Sequence, residues 1–457
     1  MKKIVFKNKL GYALGDLGNG LTFAMSSSFL LAFYTDVLGI TAISAGILFL
    51  VARIWDAIND PMMGALTDRM FIRRMKKHPN EKTDKFRPFL LRGSFLVVAA
   101  AILMFFAPSG FTSFQKLVWA YVTYIAWGMT YTFINIPYGS LAAVMTQDPA
   151  ERSSLSVARG LGGMVGNLLP AVVIPMFLTQ MVGQENKAYL FAMISMGVLA
   201  VISYLGCYFT VEENVRHDIK ETQEKFSFAA SFKVLKNNRP FIAISLASIA
   251  MLTGMMIAQT LTLYFFRDVL NALEYMSLSS VIRLLPMLFL SPILSKLVKK
   301  FGMQKTVAYS SLLAAIFYGV LMFLPNNIWI YVGVSFIGMT FMIVPHMLIW
   351  GMVSDSIDYN QYLSGQRQEG VIYGSYSFVR KLGQAIAGFL GGAGLTLVAY
   401  DSTLVKQAAS TIMGIKFLSL GMPAIGMLIA FIAFRFIYNL TPEKQKKIIA
   451  AINSEAV

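Results

Sequence analysis

Charge is scarce in this chain. Of its 457 residues only 14% are Asp, Glu, Lys or Arg, against roughly 25% in soluble globular proteins. That shortage excludes an ordinary soluble domain of this size. Cysteine is almost missing: Cys207 stands alone, so no intramolecular disulfide forms, and its place within an apolar stretch assigns it to packing. No cleavable signal pattern opens the chain, and the first apolar segment is expected to serve as an uncleaved one. Long polar stretches that could fold as a separate soluble domain are lacking too.

Apolar sequence is abundant instead, at 56% of residues. It comes in blocks near the ~20 residues that a membrane-spanning helix needs. The blocks predict helices over 10–36, 42–68, 88–108, 115–145, 155–182, 188–211, 240–267, 274–298, 305–324, 327–354, 371–399 and 411–438, twelve in all. The 28 methionines read as adaptable packing filler.

The formal net charge of +16 would fit a nucleic-acid partner if it were spread evenly, but it is not. Basic residues crowd the ends and alternate loops: Lys2, Lys3, Lys7 and Lys9, the run from Arg69 to Arg87, Lys296 to Lys305, and Lys444 to Lys447. The intervening connections, such as Gly39-Ile-Thr41 and Pro325-Asn-Asn327, carry almost none. By the positive-inside rule both termini are cytoplasmic, as an even helix count requires. The expected setting is a cell (inner or plasma) membrane crossed many times, with lipid as a partner and no nucleic acid.

A polar stretch between Val211 and Pro240 separates six helices from six. The expected organisation is a helical bundle over 1–211, a cytoplasmic loop over 212–239, a second bundle over 240–440 and a cytoplasmic tail over 441–457. The halves echo each other weakly where Gly64-Ala-Leu-Thr-Asp68-Arg69 and Leu294-Ser-Lys296-Leu-Val-Lys299-Lys300 lead into basic loops. The Gly-x-x-x-Asp-Arg fragment is similar to a truncated loop signature of the major facilitator superfamily. The fold class expected is therefore an all-α polytopic membrane protein of two pseudo-symmetric six-helix bundles. In such repeats the solute site lies at mid-depth between the halves.

Asp56 and Asp60 are the most informative polar residues. They lie four apart within Leu50-Val-Ala-Arg53-Ile-Trp-Asp56-Ala-Ile-Asn59-Asp60-Pro61, on one helical face, with Arg53 a turn before. An ionised side chain at bilayer depth costs at least ~3 kcal/mol. Such a pair is kept for binding a proton or a hard monovalent cation; the plainer alternative is an Arg53–Asp56 bridge that only pins helices. Thr132 and Asn135, a turn apart in the fourth helix, offer neutral oxygens to the same site or hydrogen bonds beside Pro137. Arg159, close to the cytoplasmic end of the fifth helix, either snorkels or ion-pairs there or serves a gate or the solute. His346, beside Pro345, is either a satisfied buried histidine or a solute contact. A central site facing these and Arg283, Arg380 and Lys381 of the second half would favour an anionic or heavily hydroxylated solute. Arg380 and Lys381 point about 100° apart on an ideal helix, so at most one aims squarely at a cavity. Asp355, Asp358, Arg367 and Glu369, with Asp68 and Arg69, are expected to form ion pairs of a cytoplasmic gate, a solvated loop being the alternative. Tyr12, Phe23, Tyr34, Trp55, Tyr131, Tyr138, Trp350, Tyr373 and Tyr376 could stack on a sugar or simply pack.

The second-helix motif, together with Lys85-Phe-Arg-Pro88, Trp127-Gly-Met-Thr-Tyr-Thr132, Ile136-Pro137 and Ser354-Asp-Ser-Ile-Asp-Tyr359, resembles the glycoside–pentoside–hexuronide:cation symporters of the major facilitator superfamily. The resemblance runs from Lys9-Leu-Gly-Tyr12 to the last helix. It implies uptake of a glycoside driven by a cation gradient, with Asp56, Asp60, Thr132 and Lys381 at the cation site, Asp56 and Asp60 as metal ligands if the ion is Na⁺, and Arg159 near the sugar. Two departures from melibiose carriers stand out. Gly20, beside Asn19, replaces a first-helix aspartate, and Asn135 replaces a fourth-helix one, with Gly139 at a tryptophan position. Asn135-Ile-Pro-Tyr-Gly-Ser-Leu141 and Phe378-Val-Arg-Lys-Leu-Gly-Gln-Ala385 are more similar to glucuronide carriers. The expectation is H⁺- or Na⁺-coupled symport of a hexuronide by a monomer, with no catalytic residues and no cofactor beyond the coupling cation. The substrate set is Asn19, Tyr131, Tyr138, Arg159, His346, Tyr376 and Arg380. Symport of a neutral pentoside or disaccharide, a lipid carrier of the same superfamily, and a membrane enzyme acting on lipid-linked sugars are the rivals.

Overall fold

In a lipid environment every backbone amide must find its partner within the protein, and an apolar chain meets that demand by folding into helices. The computed structural model of the chain describes residues 4–77, 84–146, 149–214, 237–283, 285–364, 369–404 and 406–455; Arg367 and most of the central loop lie outside these, as do the side chains of Asp68, Arg69, Glu369 and Tyr373. Among the described residues the regular structure is entirely helical. Seven helices among the described residues are long and apolar enough to cross a membrane: Arg87–Met104, Ser154–Gln180, Glu185–Thr210, Arg239–Thr260, Met303–Phe323, Ile328–Leu363 and Ala409–Ile437.

The chain divides into two compact units, one of Met1–Glu221 with Asp401–Val405, the other of Thr222–Tyr400 with Lys406–Val457. The first holds α1 (Phe6–Ala32), α2 (Ala42–Lys77), α3 (Arg87–Met104), α4 (Ser113–Met145), α5 (Pro149–Gln180) and α6 (Glu185–Thr210). The second holds α7 (Arg239–Thr260), α8 (Met276–Ile282), α9 (Leu285–Phe301), α10 (Met303–Phe323), α11 (Ile328–Ser364), α12 (Glu369–Leu397), α13 (Ala409–Lys416), α14 (Met422–Ile432) and α15 (Pro442–Glu455).

Each unit uses the same packing plan. In the first, α1 packs on α5 and α6, α3 on α4 and α6, and α2 on α4. In the second, α7 packs on α12 and α14, α10 on α11 and α14, and α9 on α11. The leading helices also finish alike. α1 ends in a wide turn, Phe33–Val37, in which the Leu38 amide donates to the Phe33 carbonyl at 3.0 Å and that of Ile40 to Tyr34 at 2.8 Å. Beyond α7 the turn Phe265–Val269 repeats this, Leu270 donating to Phe265 at 3.0 Å and Ala272 to Phe266 at 2.9 Å. Both turns close on a left-handed residue, Gly39 at φ 70° and Asn271 at φ 49°, the two residue types that adopt it most readily. Phe33-Tyr-Thr-Asp-Val-Leu-Gly39 and Phe265-Phe-Arg-Asp-Val-Leu-Asn271 are thus the clearest internal repeat.

Small residues let α1 and α5 approach closely, as in many membrane bundles. A Cβ on Gly162 would collide with the Ala13 carbonyl, and one on Gly166 would sit 2.5 Å from the Leu17 oxygen. In the second unit Gly254 faces the Met422 carbonyl, 2.6 Å from a built Cβ, and Gly426 faces that of Ala250.

Three expected boundaries need correction. α2 runs to Lys77 and α11 to Ser364, so Asp68–Arg69 and Asp355–Tyr359 lie within helices and not at their ends. The hydrophobic run marked the apolar stretch, whereas helical hydrogen bonding continues past it. The expected 274–298 helix is divided into α8 and α9, where Pro286, the second residue of α9, has no amide to donate back towards α8. The segment expected as the cytoplasmic tail contains α15. Of the central loop, Glu213 is described: its carboxylate accepts from the amides of Lys85 (2.9 Å), Phe86 (2.7 Å) and Arg87 (2.9 Å) at the start of α3. Those amides have no partner within the helix, and the helix dipole adds to the attraction. Replacing Glu213 by Ala is expected to cost about 1–3 kcal/mol, read as a lower unfolding temperature in detergent; an unchanged temperature would contradict the anchoring role.

Candidate functional site

Three polar clusters among the described residues carry most of the expected site residues, two in the first unit and one in the second. The first is built on α2. Arg53 Nη1 donates to Asp56 Oδ2 at 3.0 Å, both side chains being less than one-fifth exposed. One turn on, the Thr132 hydroxyl of α4 donates to Asp60 Oδ1 at 3.2 Å. Gly128 keeps the space beside Asp56 open, since a Cβ there would stand 3.2 Å from Oδ1. Asn59 is buried between the two aspartates in sequence, and its amide nitrogen has no partner among the described residues. On α4, Tyr124, Trp127 and Tyr131 form a row, with ring centroids 5.6 and 5.3 Å apart. Phe23 of α1 joins that row, 5.9 Å from Tyr131 and 5.7 Å from the Arg53 guanidinium. Asn135 is half-buried, one turn beyond Thr132.

The second cluster joins α1 to α5. Arg159 Nε donates to Asp16 Oδ1 at 3.2 Å, and its guanidinium lies 5.2 Å over the Tyr138 ring. Tyr138 is fully buried, stacked on Tyr12 at 4.9 Å, and its hydroxyl donates to the Tyr12 carbonyl at 2.6 Å. It therefore forms a floor beneath Arg159. Gly163 makes room for the carboxylate, because a Cβ there would meet Asp16 Oδ2 at 2.5 Å. Asn19, one turn from Asp16, accepts from the Tyr204 hydroxyl at 3.0 Å, and its buried amide nitrogen is unpartnered among the described residues.

The third cluster lines a cavity of about 70 Å³ bounded by Ser248, Met251, Leu252, His346, Ile349, Trp350, Tyr376 and Arg380. Three of these were expected at a substrate site: His346 on α11, and Tyr376 and Arg380 on α12. Lys381, next to Arg380, is half-buried on the same helix; Arg283 is half-buried just beyond α8. Of the expected gate, Asp355 accepts from Gln445 of α15 at 2.6 Å, and Lys444 lies 5.0 Å over the Tyr359 ring. Asp358 is half-buried a turn from Asp355. Arg367 and the side chains of Asp68, Arg69 and Glu369 lie outside the described residues.

Sequence reasoning missed Asp16, Asn59 and Gly128 as parts of these clusters, and it placed Trp350 only among the rings that could stack on a sugar or pack. Asp16 carried a signal as plain as that of Asp56, a carboxylate inside the apolar run Gly15-Asp16-Leu-Gly-Asn-Gly20. Gly128 carried none.

A family model described as MFS/sugar transport protein matches residues 11–442. The chain belongs to that family. It is similar to the Uncharacterized symporter YjmB of Bacillus subtilis, 33% identical across 100% of this chain and 97% of that one. It is similar also to the Glucuronide carrier protein homolog of Escherichia coli, 31% identical across 99% and 96%. Among solved structures, a bacterial homolog of the human lysosomal transporter Spinster superposes with a TM-score of 0.64 at 12% identity, covering 95% of this chain and 98% of that one; that likeness bears on the fold alone. This protein is therefore a multi-pass membrane transporter of the sugar-transport branch of the superfamily and not an enzyme.

The Asp16–Arg159 pair is partly exposed, so its coupling is expected to be modest, about 1 kcal/mol. A double-mutant cycle of Asp16→Ala and Arg159→Ala, read by thermal unfolding, should show losses that do not add. Additive losses would mean that the contact contributes nothing of its own.

Proposed function

We propose that the protein is a cation-coupled symporter of a glycoside, with a hexuronide such as a glucuronide as solute and H⁺ or Na⁺ as the driving ion. What supports this reading is that Asp56 and Asp60, one turn apart on α2, both lie against α4, Asp56 beside Gly128 and Asp60 accepting from the Thr132 hydroxyl. Hard cations prefer oxygen ligands, and a carboxylate pair takes up either a proton or Na⁺ readily. Cation binding lowers the charge of the cluster, and so lowers the cost of enclosing it when access passes from one side of the membrane to the other. Lys381 would join the cation site and Asn135 supply a further oxygen. The Arg159 cluster, with Asn19 and Tyr131, would meet the sugar in the first unit. Asp355, Asp358, Arg367, Glu369, Asp68 and Arg69 would serve as the cytoplasmic gate of a monomer whose termini both face the cytoplasm.

A hexuronide is an anion, which has a thermodynamic consequence. One monovalent cation moved with one hexuronate carries no net charge, so the membrane potential does no work on the complex. A tenfold inward cation gradient then sustains up to about tenfold accumulation, equivalent to ~1.4 kcal/mol. Replacing Asp60 by Asn should reduce the internal concentration of radiolabelled glucuronide in vesicles to the external level. Undiminished accumulation in that variant would reject the scheme.

A further inference from the structure

The cavity of the second unit holds two polar groups that its protein neighbours leave incomplete. Arg380 lies with its guanidinium 5.4 Å over the Trp350 ring, and among the described residues no carboxylate pairs with it. An arginine stays charged, and its fork of donors matches a carboxylate in two parallel hydrogen bonds. A ring face attracts the charge but accepts none of those bonds in the guanidinium plane. His346 is the second group. Its Nδ1 lies 2.9 Å from the Met342 carbonyl, which can only accept, so Nδ1 carries the hydrogen. In the neutral ring Nε2 is then an acceptor, and it is buried with no partner among the described residues. Unsatisfied buried groups are rare in folded proteins and call for an occupant.

The surroundings fix the platform. Tyr376 meets Trp350 edge-on at 4.9 Å, and its hydroxyl shares a hydrogen with Ser248 at 3.2 Å. Met251, Leu252 and Ile349 supply apolar walls, which lower the local dielectric and strengthen an ion pair inside. The cavity of about 70 Å³ has room for roughly five water-sized groups. That suits one end of a sugar and not a whole disaccharide.

We propose that this cavity is the subsite for the acidic end of the solute, where Arg380 takes a carboxylate and His346 Nε2 accepts from a neighbouring hydroxyl. The pairing selects its ligand by chemistry. A single guanidinium balances one negative charge, which fits a carboxylate better than a phosphate dianion. The histidine acceptor requires a donor close to that carboxylate, which a bare inorganic anion lacks and a uronic acid has. Trp350 is a positioning residue that holds the guanidinium over the cavity. The inference rests on the glycoside reading above and assigns its anionic specificity to one place.

The test is equilibrium binding of methyl glucuronide and methyl glucoside to purified protein in detergent, where no gradient exists and coupling plays no part. The wild type should bind the glucuronide at least about thirtyfold more tightly, the scale set by a desolvated charge pair. Arg380→Gln should bring the ratio near one while changing glucoside binding less than about threefold, and Arg380→Lys should restore part of the preference. His346→Phe should weaken both ligands together. An unchanged ratio in Arg380→Gln, an equal loss for both ligands, or a wild type without preference would each overturn the proposal. Should Arg380→Gln fail to fold, Arg380→Lys decides, since a two-point contact is lost even when the charge is kept: a ratio equal to that of the wild type would count against it. Failure of symport would appear instead in vesicle uptake, with this binding ratio intact.

Discussion

Charge inside an apolar bundle is the constraint around which the rest is arranged. Each ionised group taken out of water must be given compensating partners, and the structure shows how this chain does so. Asp56 receives Arg53, Asp60 receives the Thr132 hydroxyl, and Asp16 receives Arg159. Arg267 forms two hydrogen bonds to Asp268 and a third to the Tyr400 hydroxyl at 2.6 Å. Aromatic faces do much of the remaining positioning, with Phe23, Tyr138 and Trp350 each lying under a guanidinium. Glycines complete the arrangement by leaving room: Gly128 beside Asp56 and Gly163 beside Asp16. The polar clusters are thus parts of the packing and not additions to it.

The two units meet the constraint with one plan used twice. Both leading helices end in a wide turn closed by a left-handed residue, and both pack closely through glycine against a later helix of their own unit. Close backbone approach without bulky side chains gives each unit a stiff frame. A stiff frame is what the proposed cation site of Asp56, Asp60 and Thr132 would require, since a displacement of an ångström would separate oxygens that one ion is to bridge.

Much of this was legible in the sequence for a simple reason: apolar length reports the membrane, and an acidic residue within it reports a purpose. The Asp56–Asp60 face needed only helical spacing, and the second-helix motif carried the family. The ends of α2 and α11 were misjudged because hydropathy follows lipid contact while helices continue wherever their hydrogen bonds are met. Asp16 lies in the same apolar run as Asn19 and Gly20, and nothing in the letters alone tells which of the three faces Arg159. The pocket around Arg380 was only half legible. Its side chains come from α7, α11 and α12, and no spacing along one helix shows that Trp350 lies beneath the guanidinium while Ser248 fixes Tyr376. The repeat in Phe33–Gly39 and Phe265–Asn271 was present as letters, yet its meaning depends on backbone geometry that only the fold reveals.

The central claim is that a cation taken up by the α2 carboxylates travels with the solute. Its most direct test reverses the usual direction of work. Proteoliposomes with equal Na⁺ and pH on both sides would be given an external excess of glucuronide, while internal Na⁺ and pH are followed by indicator dyes. The account predicts that the solute drives one of the two ions inward against its rising gradient, in near one-to-one proportion and independently of an imposed membrane potential. Glucuronide entry with neither ion moving would contradict it.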